Sequence, residues 1–112
     1  MRKTADLVNE MFDEAKGARL VAIAVGFETE TEFVFNTTPH PLEKLNALVE
    51  KGGSPVGLLR FEREGTGLQG SYRPFEEYKD EAWAKEYLSG LLKNAAEIIA
   101  LSQHGPAFPA AY

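Results

Sequence analysis

The chain has 112 residues, a formal net charge of −5 and a hydrophobic content of 44%. This length is typical of one domain, and the apolar content excludes a chain that is disordered as a whole. The absence of cysteine excludes disulfides, thiolate metal sites and cysteine nucleophiles, and it fits a reducing compartment, so we expect a cytoplasmic protein. The acidic balance argues against direct nucleic-acid binding by bulk charge, and no apolar run is long enough for a membrane span.

The first part of the chain predicts a helix followed by a β-hairpin. Residues 4–16 carry apolar side chains at helical spacing, with Thr4 as N-cap and Gly17 as the stop signal. Residues 19–27 are apolar at both parities, which predicts a central strand covered on both faces. Small residues at one of these parities would let a helix approach closely. A second strand, Thr31–Asn36, follows after a short link and predicts a hairpin.

A polar, proline-rich loop leads into the second predicted helix. Either Thr38 before Pro39 or His40 before Pro41 could be the N-cap that precedes a proline in the first turn. A leucine-rich stripe follows, and Gly52-Gly53 ends the helix.

A second hairpin follows that helix. Val56–Glu64 and Leu68–Tyr72 are the predicted strands, and Gly65-Thr66-Gly67 connects them. The first of these strands alternates poorly. We therefore expect its second half to extend into solvent or to carry a bulge.

The last predicted element is a long helix preceded by a separate turn over Phe75–Tyr78. Asp80 could cap a helix that ends at about Leu101. At 1.5 Å per residue this helix would be about 33 Å long, roughly the diameter of the domain. Ser89-Gly90 therefore marks a kink, or the helix overhangs the core.

These elements predict one α+β domain over residues 1–102, a mostly antiparallel four-stranded sheet packed by two to three helices. Residues 103–112 are expected to form a tail, with Phe108 and Tyr112 as possible anchors. The element order, helix-strand-strand-helix-strand-strand-helix, is similar to roadblock and profilin-like modules, which implies dimerisation and regulation. The stretch Leu20–Val49 looks like segments of small uncharacterised bacteriophage proteins, which implies a phage or mobile-element origin. Neither resemblance assigns a role to a residue.

The loop Asn36–Pro41 is the first candidate site. Backbone N–H groups at a helix N-terminus attract anions, so Thr37, Thr38 and His40 could bind a small anionic ligand, with His40 as a general acid or base. Helix capping and loop chemistry account for the same residues. Both interpretations stay open.

Two clusters of charged residues could form recognition surfaces. Glu28, Glu30 and Glu32 alternate, so on a strand they would form one acidic face for a basic partner, as in a mimic or inhibitor of a nucleic-acid-handling protein. A solvated hairpin rim is the alternative, and a straight strand diverges such groups too far for a metal site. Arginines at 60, 63 and 73 could bind phosphates, but the interleaved glutamates at 62, 64, 76 and 77 predict ion pairs with their sequence neighbours.

Aromatic residues around the start of the last helix form a candidate interface. Phe75, Tyr78, Trp83, Tyr87 and Leu91 could belong to an exposed patch, or they could cover the sheet. The chain has two histidines and no nucleophile motif. We therefore expect a non-catalytic interaction or regulatory protein without metal or cofactor, which self-associates as a dimer and binds an unidentified protein. A ligand-binding or enzymatic module using the loop and the acidic mimic are the alternatives.

Overall fold

The structure is a computed structural model that describes residues 2–17, 19–65 and 67–104. Its helices and strands are α1 (Thr4–Glu14), β1 (Leu20–Gly26), β2 (Thr31–Phe35), α2 (Pro41–Glu50), β3 (Ser54–Glu64), β4 (Gly67–Pro74), α3 (Ala82–Leu91) and α4 (Ala95–His104). Two short 3₁₀ turns, Glu76–Tyr78 and Leu92–Asn94, flank α3. This confirms the predicted α+β class and element order, with the last helix divided into α3 and α4.

The strands form one antiparallel sheet in the order β2-β1-β3-β4. Residues 21–25 of β1 are all buried, which confirms the prediction of a strand covered on both sides. The front face, which carries Val21, Ile23 and Val25 of β1, packs against buried side chains of α1 and α2. The back face, which carries Ala22 and Ala24, packs against α3 and α4. The sheet is therefore the middle of three layers.

Glycines of β3 and β4 on the back face let α3 and the turn after it approach the sheet. A Cβ built on Gly57 of β3 would lie 2.7 Å from Leu88 Cδ1 and 2.5 Å from the carbonyl oxygen of Arg73. A Cβ on Gly70 of β4 would lie 2.8 Å from Leu92 Cδ2. These distances are shorter than van der Waals contact, so α3 and the turn after it pack where the strands have no side chain.

The helix boundaries differ from the sequence prediction by a few residues. The N-cap of α1 is Lys3 instead of Thr4, and Asp6 Oδ2 accepts the Lys3 backbone N–H at 3.1 Å. His40 is the N-cap of α2 and Pro41 its first residue, which decides between the two predicted starts. The backbone of His40 has the left-handed helical conformation, with φ of 50°.

The predicted bulge in β3 lies in its first half and not in its second. The register against β1 shifts at Ala24/Val25, so that Val56 has no partner between Pro55 and Gly57. In the second half, Arg60 and Phe61 are paired on both sides and Phe61 is buried, whereas residues 62–64 are paired with β4 alone and extend past β1, with Arg63 exposed. Its alternation is irregular because Arg60 and Glu62 on the front face form ion pairs instead of apolar contacts.

The C-terminal helix breaks two residues beyond Gly90, at the Leu92–Asn94 turn, and α4 then continues to His104. Its first helical residue is Ala82, and Glu81 takes the N-cap position predicted for Asp80. Beyond the break, Ile98 of α4 is buried against the back face, so α4 covers the sheet there and does not overhang the core. Residues 103 and 104, predicted as tail, are therefore helical, whereas the predicted anchors Phe108 and Tyr112 lie outside the described residues.

Candidate functional site

The loop before α2 is held together by Thr38. Its Oγ1 accepts the backbone N–H of Phe35 at 2.8 Å, and its own N–H donates to the Phe35 carbonyl at 3.0 Å. Thr38 is buried, whereas Thr37 and His40 are exposed. A depression of about 210 Å³ beside β2 includes Thr38 but neither Thr37 nor His40 in its lining. The three predicted ligand residues therefore do not converge on a common cavity, and ligand binding by this loop stays a prediction.

The acidic residues of the first hairpin do not share a strand face. Glu28 and Glu30 lie in the connection between β1 and β2, and only Glu32 belongs to β2. Glu32 is paired with Val25, which places it on the front face. None of the three makes an ion pair within the described part of the chain. The hairpin therefore presents separate carboxylates to solvent, and the single face expected from alternation is not formed because the strand starts at Thr31.

The predicted aromatic interface divides into a buried and an exposed part. Phe75 is fully buried on the front-face side, so it belongs to the core and not to a surface patch. Tyr87 and Leu91 are half-buried against the back face, and the Tyr87 hydroxyl is hydrogen-bonded to that of Thr31. Trp83 is 50% exposed. Both alternatives therefore hold in part: some of the aromatic residues cover the sheet, and Trp83 faces solvent.

Trp83 and Tyr78 form an aromatic pair at the start of α3. Their ring centroids are 5.4 Å apart with an interplanar angle of 82°, an edge-to-face geometry. A depression of about 280 Å³ adjoins Trp83, lined by Gly26, Phe27, Glu28, Gly52, Ser54, Val56, Trp83 and Tyr87. We call these lining residues together with Tyr78 the Trp83 patch. It joins apolar surface, an open concavity and one carboxylate.

A chain of ion pairs crosses the front of the molecule, and the sequence reasoning missed it. In order, it links Glu77, Arg2, Glu10, Arg73, Glu14, Arg60, Glu62 and Arg19. Arg73 of β4 pairs with two glutamates of α1: its Nη1 lies 2.7 Å from Glu10 Oε2 and its Nη2 lies 3.3 Å from Glu14 Oε1. The prediction that the arginines pair with their sequence neighbours holds for Arg60 and Glu62 and is wrong for Arg73. The available signal was the spacing of Glu10 and Glu14, four apart on the polar side of α1.

One end of this ionic chain is firmly paired. Arg2 Nη2 lies 2.9 Å from Glu77 Oε1, and the Arg2 guanidinium stands over the Phe75 ring at 5.5 Å from its centroid. The hydrogen bond from Arg2 lowers the pKa of Glu77 to about 2 and, reciprocally, raises the pKa of Arg2. These contacts join the segment before α1 to α1 itself and to the turn before α3, so their role is structural.

A groove of about 500 Å³ lies between α4 and the β3–β4 hairpin. It is lined by Gly17, Arg19, Leu20, Phe61, Glu62, Arg63, Leu68, Ile99 and Gln103. Arg19 is neutralised by Glu62, with Nε 2.9 Å from Oε1. The described residues of this lining include no hydroxyl, thiol or imidazole side chain.

Among residues 2–17, 19–65 and 67–104, no three carboxylate or imidazole side chains gather as a metal site requires. No helix in these ranges has the length and apolar character needed to cross a bilayer. Comparisons with protein-family models, with curated proteins and with solved structures find no match for the chain. The resemblance to roadblock and profilin-like modules thus stays one of element order, and no residue role is transferred from a relative.

Proposed function

We propose that this chain is a non-catalytic interaction or regulatory protein of the cytoplasm, which binds a protein partner through the Trp83 patch and also self-associates. The observation that supports the proposal is Trp83 itself: half of a large aromatic side chain stays in solvent beside an open depression. Tryptophan and tyrosine are enriched among the residues that dominate binding energy, because they bury large area at low entropic cost. The absence of cysteine supports a reducing compartment.

The chemistry of the patch limits the kind of partner. Phe27, Val56 and Trp83 give the depression apolar walls, and Glu28 lies at its rim. Glu28 is exposed and makes no ion pair within the described residues, so its charge is available to a partner. The surface fits an apolar or aromatic side chain that inserts into the depression, with a lysine or arginine beside it.

Partner capture from lysate tests the proposal when Trp83→Ser is compared with Leu101→Ser. Leu101 is as exposed as Trp83, at 52%, but it lines a different depression beside β2. A partner that uses the patch should be lost with Trp83→Ser and retained with Leu101→Ser. The interaction is then measured with purified partner, for which we expect an increase in Kd of roughly 30-fold, as for a central aromatic residue of an interface.

Charge reversal separates the apolar from the electrostatic contribution. Glu28→Lys should weaken binding severalfold, and this effect should shrink at high salt because an exposed charge pair is screened. Equal binding by wild type and Trp83→Ser would show that the patch is not the interface. If Leu101→Ser lost partner binding to the same extent as Trp83→Ser, the effect would not be specific to the Trp83 patch.

A further inference from the structure

We infer that two copies of this chain pair antiparallel along the free edge of β4, centred on Gly70, and so form a continuous eight-stranded sheet. The inference rests on the proposed function only in that the chain self-associates, and it assigns that role to a surface that shares no residue with the Trp83 patch. β4 is the last strand in the order β2-β1-β3-β4, so one of its sides has no partner within the described residues.

The backbone shows which groups of β4 point outward. The Phe75 N–H donates to the Val56 carbonyl at 2.9 Å, and Phe75 continues the β3–β4 register. Inward and outward groups alternate in an antiparallel ladder. Leu68, Gly70 and Tyr72 therefore direct their N–H and C=O groups away from β3. Pro74, which has no N–H, occupies the next outward position, where it leaves the ladder intact.

The composition of this edge favours a second copy. The chain has 17 acidic residues, yet β4 has none, whereas the other edge strand, β2, carries Glu32. Of the two edges, β4 is therefore the one along which two acidic molecules repel each other less. Charged side chains are a common protection of sheet edges, and the three outward positions have none. Leu68 and Tyr72 leave 45% and 39% of their surface in solvent. The opposite edge of the sheet, β2, has five residues against the eight of β4.

The alternation also restricts the register. Outward residues must face outward residues, and pairing about Gly70 engages all three donors of both copies without including Pro74 in the contact. In this register Leu68 of each copy faces Tyr72 of the other on the back face, where an aliphatic–aromatic pair is favourable. On the front face Gln69 faces Ser71, and no two charges of one sign meet. The contact is confined to one strand per copy, which predicts a concentration-dependent dimer and not a permanent one.

Charge pairs at Gln69 and Ser71 test the register by sedimentation over a concentration series. Gln69→Lys/Ser71→Lys places lysine opposite lysine twice and should raise the dimer Kd roughly tenfold, although it makes the protein less negative overall. Gln69→Lys/Ser71→Glu places lysine opposite glutamate and should restore or tighten the dimer. Within one chain Gln69 is paired with Glu62 and Ser71 with Arg60, so this second variant also suits the monomer. Circular dichroism is the control that both variants are folded.

Two further measurements examine the backbone itself. Leu68→Pro removes an outward N–H and should weaken the dimer at least tenfold relative to Leu68→Ala, which keeps it. Amide exchange should slow with concentration at Leu68, Gly70 and Tyr72, while inward-facing Ser71 and Arg73 are already protected in the monomer.

A wild-type chain that stays monomeric at every concentration would overturn the inference, and so would equal affinity of the two charge variants. A dimer that is lost in Trp83→Ser but unaffected by the β4 variants would place self-association at the Trp83 patch. Protection of the β4 edge only after another protein is added would show that its occupant is not a second copy. In the last two cases the proposed interaction function stands, whereas failure of partner capture by the patch leaves the β4 measurements valid.

Discussion

Adding one methyl group at Gly57 and at Gly90 should change the stability of the fold in opposite directions. At Gly90, inside α3, a Cβ would meet nothing within 4 Å. Alanine there removes the cost of glycine in a helix and should stabilise the protein by about 1 kcal/mol. At Gly57 the same methyl would lie 2.5 Å from the Arg73 carbonyl oxygen and 2.7 Å from Leu88 Cδ1.

The contact with a backbone atom decides the result at Gly57. Arg73 is fixed by the β3–β4 ladder, so its carbonyl cannot move aside as a side chain does. Overpacking of this kind costs about 1–3 kcal/mol, from which the lower entropy of the unfolded alanine chain subtracts about 0.4–1 kcal/mol. We therefore expect a net loss of about 1–2 kcal/mol. Gly70→Ala gives an intermediate case, because the nearest atom is the tip of the Leu92 side chain, which can rotate.

Thermal and urea unfolding, followed by circular dichroism, measure all three variants. For a domain of this size about 1 kcal/mol corresponds to roughly 4 °C in Tm, so Gly90→Ala and Gly57→Ala should differ by about 8–12 °C. The expected order of stability is Gly90→Ala, wild type, Gly70→Ala and Gly57→Ala. A Gly57→Ala protein as stable as wild type would refute the reasoning that glycine is required for α3 to reach the sheet.

Three further predictions concern single contacts. Glu77→Gln should lower the free energy of unfolding by about 1 kcal/mol at pH 7. Because Arg2 holds the pKa of Glu77 at about 2, below its ordinary value, urea titrations should show this whole loss above about pH 5 and a vanishing loss as the pH falls toward 2. Thr38→Ala should cost about 1–2 kcal/mol of unfolding free energy because the buried Phe35 N–H loses its acceptor, and Thr38→Ser should recover most of it; equal losses would contradict this. His40→Gly should raise the urea midpoint by the equivalent of about 1 kcal/mol because it relieves a left-handed conformation, whereas His40→Ala should not; a gain with alanine would point to the imidazole instead.

The fold was predictable where local signals agree. The helical spacing before Gly17, the apolar run of β1 and the glycines after α2 each specify an element within a few residues, because they act through backbone conformation and burial of adjacent residues. The placement of the break in the last helix was less accurate. Gly90 weakens the helix, but the break occurs at Leu92–Asn94, and α4 beyond it buries Ile98 against the sheet.

The candidate site was predictable only in its composition. The sequence indicated that aromatic residues gather near the start of α3, but it could not separate Phe75, which is buried, from Trp83, which is exposed. That distinction depends on which side of the turn before α3 faces the sheet. The alternation of Glu28, Glu30 and Glu32 likewise suggested a common face that exists only if all three lie in one strand.

The sequence by itself determined the α+β class, the order of the elements and the two-sided burial of β1, because hydrophobic period and turn residues are properties of neighbouring positions. Only the tertiary structure decided which strand is left at the edge, which arginine meets which glutamate, and which aromatic side chain remains in solvent. Arg73 pairs with Glu10 and Glu14 across more than fifty residues of chain. Such pairs form because packing brings distant segments together, and no pattern of neighbouring residues predicts which distant side chains will meet.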